Sequence, residues 1–180
     1  MLKNMENKLL FTEEQIAQRI ARVAKEIARD YQGQTLVVIG ILKGAFVITA
    51  DLVRALYKAG DVDIEVSFLM LKSYYESTRD PKDIQLVMDS DLDPRGRHVL
   101  IVDDVFDTGK SFAFLDLHIR EKGATSVAAF ALLAKPDRHE VVYRPKYIGF
   151  NVGNVWVEGY GMDSIEKGRG NPNVIGKDHE

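Results

Sequence analysis

The sequence predicts an α/β fold, with a mainly parallel twisted sheet flanked by helices on both faces, and three observations carry that prediction. Apolar, β-branched runs at 36–42, 99–102 and 127–134 each read as a strand buried on both sides. Helical stretches alternate with these runs, the pattern of crossover connections between parallel strands. Each run also ends in polar or glycine chemistry, at Leu42-Lys43-Gly44, Asp103-Asp104 and Ala134-Lys135. Sheets of this kind bind ligands at the carboxyl ends of their strands.

The elements follow in order. Thr12-Glu13-Glu14-Gln15 is a capping-box pattern, and Ile16, Ile20, Val23 and Ile27 continue it at helical spacing, giving a helix over 13–29 that Gln32-Gly33 ends. The strand 36–42 leads through Lys43-Gly44 into a second helix reaching about residue 58. Residues 64–72 alternate as a strand, 73–82 are polar and read as a mobile loop, and 84–88 form a short strand. Pro94 and Gly96 mark a turn over 89–97. The strand 99–102 is followed by a helix to about residue 122, capped by Gly123. After the strand 127–134 and Pro136, short strands fall at 147–152 and 155–157, and a glycine-rich polar tail begins at Gly168.

Composition narrows the class. With 46% hydrophobic and 28% charged residues the chain is of ordinary globular type, long enough for one domain with a proper core. A net charge of −3 gives no basic footprint for nucleic acid. The absence of cysteine removes disulfides and thiolate metal sites, and His98, His118, His139 and His179 lack ligand spacing, which makes them structural or surface residues. No apolar stretch reaches membrane-spanning length and the first residues lack a signal-peptide core, so a cytoplasmic protein is expected.

The richest stretch is 99–112, VLIVDDVFDTGKSF. Four apolar residues run into Asp103 and Asp104; Asp107 then opens the loop Thr108-Gly109-Lys110-Ser111 at a strand-to-helix turn. Backbone N–H groups at a helix start, with hydroxyls and a lysine beside them, form a phosphate cradle. Carboxylates one step before it suit sugar hydroxyls, so the stretch reads as a site for a phosphorylated sugar. A Walker-B strand would need a GxxxxGK[ST] loop, but Asp104 stands five residues before Gly109. A receiver domain would carry its acid pair near the N-terminus. An acidic loop after a core strand explains the acid pair alone, but not the whole run.

This stretch resembles the motif with which type I phosphoribosyltransferases bind 5-phosphoribosyl 1-diphosphate (PRPP). Over about 12–175 the chain is similar to the hypoxanthine-guanine phosphoribosyltransferases. The similarity rests on Ile41-Leu42-Lys43-Gly44-Ala45-Phe46, Lys72-Ser73-Tyr74, residues 99–111, Leu132-Leu133-Ala134-Lys135-Pro136, and the segment 155–163 closing with Arg169. The resemblance implies a single domain over 1–180, its core at about 12–135. A hood of short strands near the C-terminus would span about 136–175, joined by N-terminal residues. It also implies transfer of the phosphoribosyl group from PRPP to N9 of hypoxanthine or guanine, with Mg²⁺, in a homodimer or homotetramer.

Roles follow residue by residue from the resemblance. Thr108, Gly109, Lys110 and Ser111 hold the 5′-phosphate. Asp103 and Asp104 hold the ribose hydroxyls directly or through metal, and Asp107, the catalytic residue, sits by purine N7 as proton acceptor or electrostatic partner. Lys135 donates to the purine O6, although a strand-end lysine can also snorkel to solvent. Trp156 stacks on the base and Val157 backbone groups read its edge, although an aromatic in a short strand is commonly core. Asp163 binds Mg²⁺ and Arg169 clamps pyrophosphate. Lys43 and Gly44 form the pyrophosphate loop, with a cis peptide expected between Leu42 and Lys43; an ordinary helix-entry turn is the other reading of that pair. Ser73 and Tyr74 belong to a loop that closes over the site. Asp103 departs from the commoner glutamate, Trp156 from the commoner phenylalanine, and Gly168-Arg169-Gly170 from the usual sequence. A xanthine- or guanine-preferring enzyme and a PRPP- or nucleotide-sensing regulator remain as other functions.

Overall fold

A computed structural model describes residues 7–73 and 84–177, the side chain of Ser73 excepted. Tyr74 and the rest of the expected lid lie outside the described residues.

Helix α1 (Glu13–Asp30) starts as the capping box requires. Thr12 Oγ1 accepts from Gln15 N at 3.3 Å, and Gln15 Oε1 accepts from Thr12 N at 2.9 Å. Its apolar stripe, with Ile16, Ile20, Val23 and Ile27, is buried. Strand β2 (Thr35–Leu42) leads to α2 (Phe46–Ala59), and β3 (Asp63–Ser73) and β4 (Ile84–Met88) follow. Then come β5 (His98–Phe106), α3 (Lys110–Glu121), β6 (Ser126–Ala134), a 3₁₀ turn at Pro136–Arg138, and β7 (Tyr147–Asn151).

These strands form a six-stranded sheet in the order β4-β3-β2-β5-β6-β7, parallel except for β4. Alternation along the central strands divides the core. Leu36, Val38, Leu100 and Val102 face α1 and α2, while Val37, Ile39, Val99 and Ile101 pack with Phe112, Leu115 and Ile119 of α3. The sheet is therefore covered on both faces, as expected.

Three features depart from the sequence reading. Strand β5 continues through Asp103 and Asp104 to Phe106, because Asp103, Val105 and Phe106 pair with Ala131, Leu133 and Ala134 of β6. The acids thus stand on a paired strand, not on a free loop. The short strand at 147–151, expected in the hood, completes the core sheet beside β6. The hood instead is a second, antiparallel sheet of β1 (Lys8–Phe11), β9 (Val174–Lys177) and β8 (Trp156–Glu158), in that order. Neither β1 nor the strand in the polar tail was expected: each is four residues long, and both exist through pairing across almost the whole chain.

Candidate active site

The loop Asp107 to Gly109, expected to hold the phosphate, sits where β5 turns into α3. Gly109 takes φ +86°, a left-handed conformation, and caps α3 without a side-chain hydrogen bond. A Cβ there would approach Val141 Cγ2 to 2.7 Å and Phe106 Cε2 to 2.9 Å, so only glycine fits. The helix start is left open to an anion. Residues 139–141 brace this loop from behind: Glu140 N donates to Thr108 O at 2.9 Å, Glu140 ion-pairs with Lys110, and His139 packs on the Phe106 ring.

Asp103 and Asp104 are half-buried. Asp104 N donates to Asp103 Oδ1 at 3.0 Å, and Val105 N donates to Asp104 Oδ1 at 2.7 Å. Burial, and then the neighbouring Asp104 charge, push the Asp103 carboxyl well above its ordinary range; burial also raises Asp104, against which Arg169 acts as a cation. Gly44 faces this pair so closely that a Cβ on it would run into Asp104 Oδ2. The peptide between Leu42 and Lys43 is cis, as the resemblance implied, so the ordinary helix-entry turn is excluded.

Asp107 is bracketed by two cations. Lys135 Nζ lies 3.2 Å from Asp107 Oδ2, and Arg138 Nε donates to Asp107 Oδ1 at 2.5 Å. Lys135 is the one charged side chain that is buried among the described residues. Its ammonium does not snorkel to solvent; it is paired inside, as a buried charge must be. Arg138 was missed in the sequence. The 3₁₀ turn after Lys135 brings it back over the strand end, and the signal that could have found it is its position three residues on, across a proline.

The hood supplies the opposite wall. Trp156 is 46% exposed, so it is not a core aromatic, whereas Val157 beside it is buried. Arg169 Nη1 donates to Gly161 O at 2.8 Å, and its Nη2 lies 2.7 Å from Asp163 Oδ1. Lys43, which is exposed, reaches Glu166, a residue the sequence reading did not single out. Asp103, Asp104, Asp107, Lys135, Lys43, Asp163 and Arg169 thus line the carboxyl ends of β2, β5 and β6 and the hood above them. Ser73 ends β3; its side chain and Tyr74 are not described. Among the described residues no three His, Asp or Glu side chains converge as a ready-made metal site. Asp163 and the Asp103–Asp104 pair are nevertheless the hard oxygen donors that magnesium takes one or two at a time, completing its shell with water and substrate oxygens.

Comparison with known proteins agrees with this geometry. Residues 7–165 match the family model described as a phosphoribosyl transferase domain. A hypoxanthine-guanine phosphoribosyltransferase of Aquifex aeolicus is 37% identical over 168 residues, which cover 93% of this chain and 92% of that protein. Among solved structures, Trypanosoma cruzi hypoxanthine phosphoribosyl transferase superposes with a TM-score of 0.91 at 33% identity, covering 98% of this chain and 94% of the other. A hypoxanthine-guanine phosphoribosyltransferase of Bacillus anthracis gives 0.86 at 32% identity, covering 97% and 99%. The chain belongs to the phosphoribosyl transferase domain family and, within it, to the hypoxanthine-guanine phosphoribosyltransferases.

Proposed function

We propose that this protein is a purine-salvage enzyme that joins PRPP to hypoxanthine or guanine, releasing pyrophosphate and giving IMP or GMP. The pair of buried Lys135 and half-buried Asp107, at the ends of adjacent strands β6 and β5, carries this reading. A fixed ammonium donates to a 6-oxo group and has no lone pair with which to accept the N–H of a 6-amino group, so the pocket selects 6-oxopurines over adenine. Trp156 stacks on the base and Val157 backbone groups read its edge.

In the reaction the bond from C1′ to pyrophosphate oxygen breaks and the bond from C1′ to purine N9 forms, through an oxocarbenium-like ribose. The open start of α3, with Thr108, Gly109, Lys110 and Ser111, holds the 5′-phosphate. Asp103 and Asp104 hold the ribose hydroxyls. Asp107 accepts the proton that purine N7 loses as N9 attacks, and its charge favours the cation developing on the sugar. Lys43, Gly44 and Arg169 hold the pyrophosphate. Asp163 and the Asp103–Asp104 pair would hold Mg²⁺, which would supply charge neutralisation for the leaving group. No helix among the described residues is long and apolar enough to cross a membrane; the same reading gives a cytoplasmic homodimer or homotetramer.

The test is turnover with PRPP and Mg²⁺ of hypoxanthine, guanine, xanthine and adenine separately, followed by absorbance. Turnover of the first two with little of adenine is the expected result. Preference for xanthine would move the reading to a xanthine-guanine enzyme. Silence with all four, while PRPP still binds, would make the protein a sensor.

A further inference from the structure

The pyrophosphate half of the site already contains an anion. Both carboxylate oxygens of Glu166 lie 3.3 Å from Lys43 Nζ, and Oε2 lies 3.3 Å from Arg169 Nη2. Glu166 is exposed, so it carries the ordinary charge of a glutamate at neutral pH. Lys43 and Glu166 are 123 residues apart in sequence, and Glu166 joins a core loop to the hood.

The backbone holds Glu166 in place. Ser164 and Lys167 exchange both of their backbone hydrogen bonds, at 2.9 and 3.1 Å, leaving Ile165 and Glu166 as a two-residue turn with φ of 53° and 59°. Such primed turns ordinarily carry glycine or asparagine. A β-branched isoleucine there is a backbone outlier, and residues held against their preference cluster at functional sites. Asp163 Oδ2 accepts the Glu166 N–H at 2.8 Å and fixes the turn further.

We propose that Glu166 is a built-in occupant of the pyrophosphate subsite: in the free enzyme its carboxylate stands between Lys43 and Arg169, and an incoming diphosphate must displace it. The inference rests on the reading of Lys43 and Arg169 as the pyrophosphate cations. Its consequence is selectivity among anions. A diphosphate brings several charges and a metal ion and displaces one carboxylate; inorganic phosphate, with less charge, competes poorly against a carboxylate tethered beside its cations. After transfer, the return of Glu166 favours release of pyrophosphate.

Calorimetric titration of pyrophosphate with MgCl₂ into the wild-type protein, Glu166→Gln and Glu166→Ala tests this without turnover. Both variants are expected to bind pyrophosphate about two- to fivefold tighter at low ionic strength, the scale of exposed ion pairs. That gap should close as salt is added, and inorganic phosphate should become a stronger competitor. A wild-type protein that binds pyrophosphate, with variants that bind equally or more weakly, would overturn the occupant role and make Glu166 a residue that merely orients the two cations. If none of the three binds pyrophosphate, the reading of Lys43 and Arg169 falls, and the inference with it.

Discussion

Strand β5 enters the site from Val99, Leu100, Ile101 and Val102, which have no exposed surface, and its acids are fixed by pairing with β6. The hood enters from Trp156, nearly half exposed, and from a turn whose Asp163, Glu166 and Arg169 hold one another through ions. The first region owes its geometry to close packing and to Gly109, which has no room for a Cβ. The second owes its geometry to ion pairs between side chains. On the proposed assignment, the sugar-phosphate half rests on packed backbone and the pyrophosphate half on exposed, exchangeable ion pairs.

Substitutions that strike the packed half should cost most. Asp107→Asn keeps the shape and removes the charge that Lys135 and Arg138 bracket; kcat is expected to fall roughly 10- to 1000-fold, measured with saturating hypoxanthine. Turnover near wild type would remove Asp107 from proton transfer. Gly44→Ala puts a methyl group against the Asp104 carboxylate. Displacement of the loop or the carboxylate by about an ångström should lower kcat/KM for PRPP by about 100-fold, and an unchanged value would mean that the loop gives way freely.

Smaller effects sharpen the contrast. Lys135→Ala should raise KM for hypoxanthine more than KM for PRPP; equal changes would argue against base recognition by Lys135. Trp156 is the only tryptophan, so its fluorescence should shift on GMP binding, whereas proven binding with no shift would place the base elsewhere. The smallest effect concerns an exposed carboxylate at the end of α1. Hydrogen bonds from Lys146 and then Tyr147 hold the Asp30 carboxyl below its ordinary value. The stability this brings is present above about pH 3.9, the unfolded value, and is lost as pH falls through the lower folded value. Asp30→Asn should flatten that acid limb in urea titrations, leaving stability at pH 2 little changed.

What the sequence made legible follows the same division. The strand 99–102, the loop 108–111 and the capped helix α1 are local patterns, written in periodicity and turn chemistry within a few residues. Arg138 could be reached only by knowing that a 3₁₀ turn folds it back over Asp107. Glu166 could not be reached at all, since its meaning lies in Lys43, 123 residues away. The hood was legible only as a region: β1 and β9 are too short to declare themselves, and β7 was assigned to the hood because nothing local separates an edge strand of one sheet from a strand of another.

The pairing of β1 with β9 also decides which parts of the fold depend on which stretches of chain. All six strands of the core sheet lie within residues 35–151. Strand β8, which carries Trp156 and Val157, has β9 as its one strand partner among the described residues, and the Lys177–Glu158 ion pair at 2.7 Å closes that junction. Trimming the chain back through Val174 would therefore spare every strand of the core sheet while stripping β8 of its hydrogen-bonded neighbour.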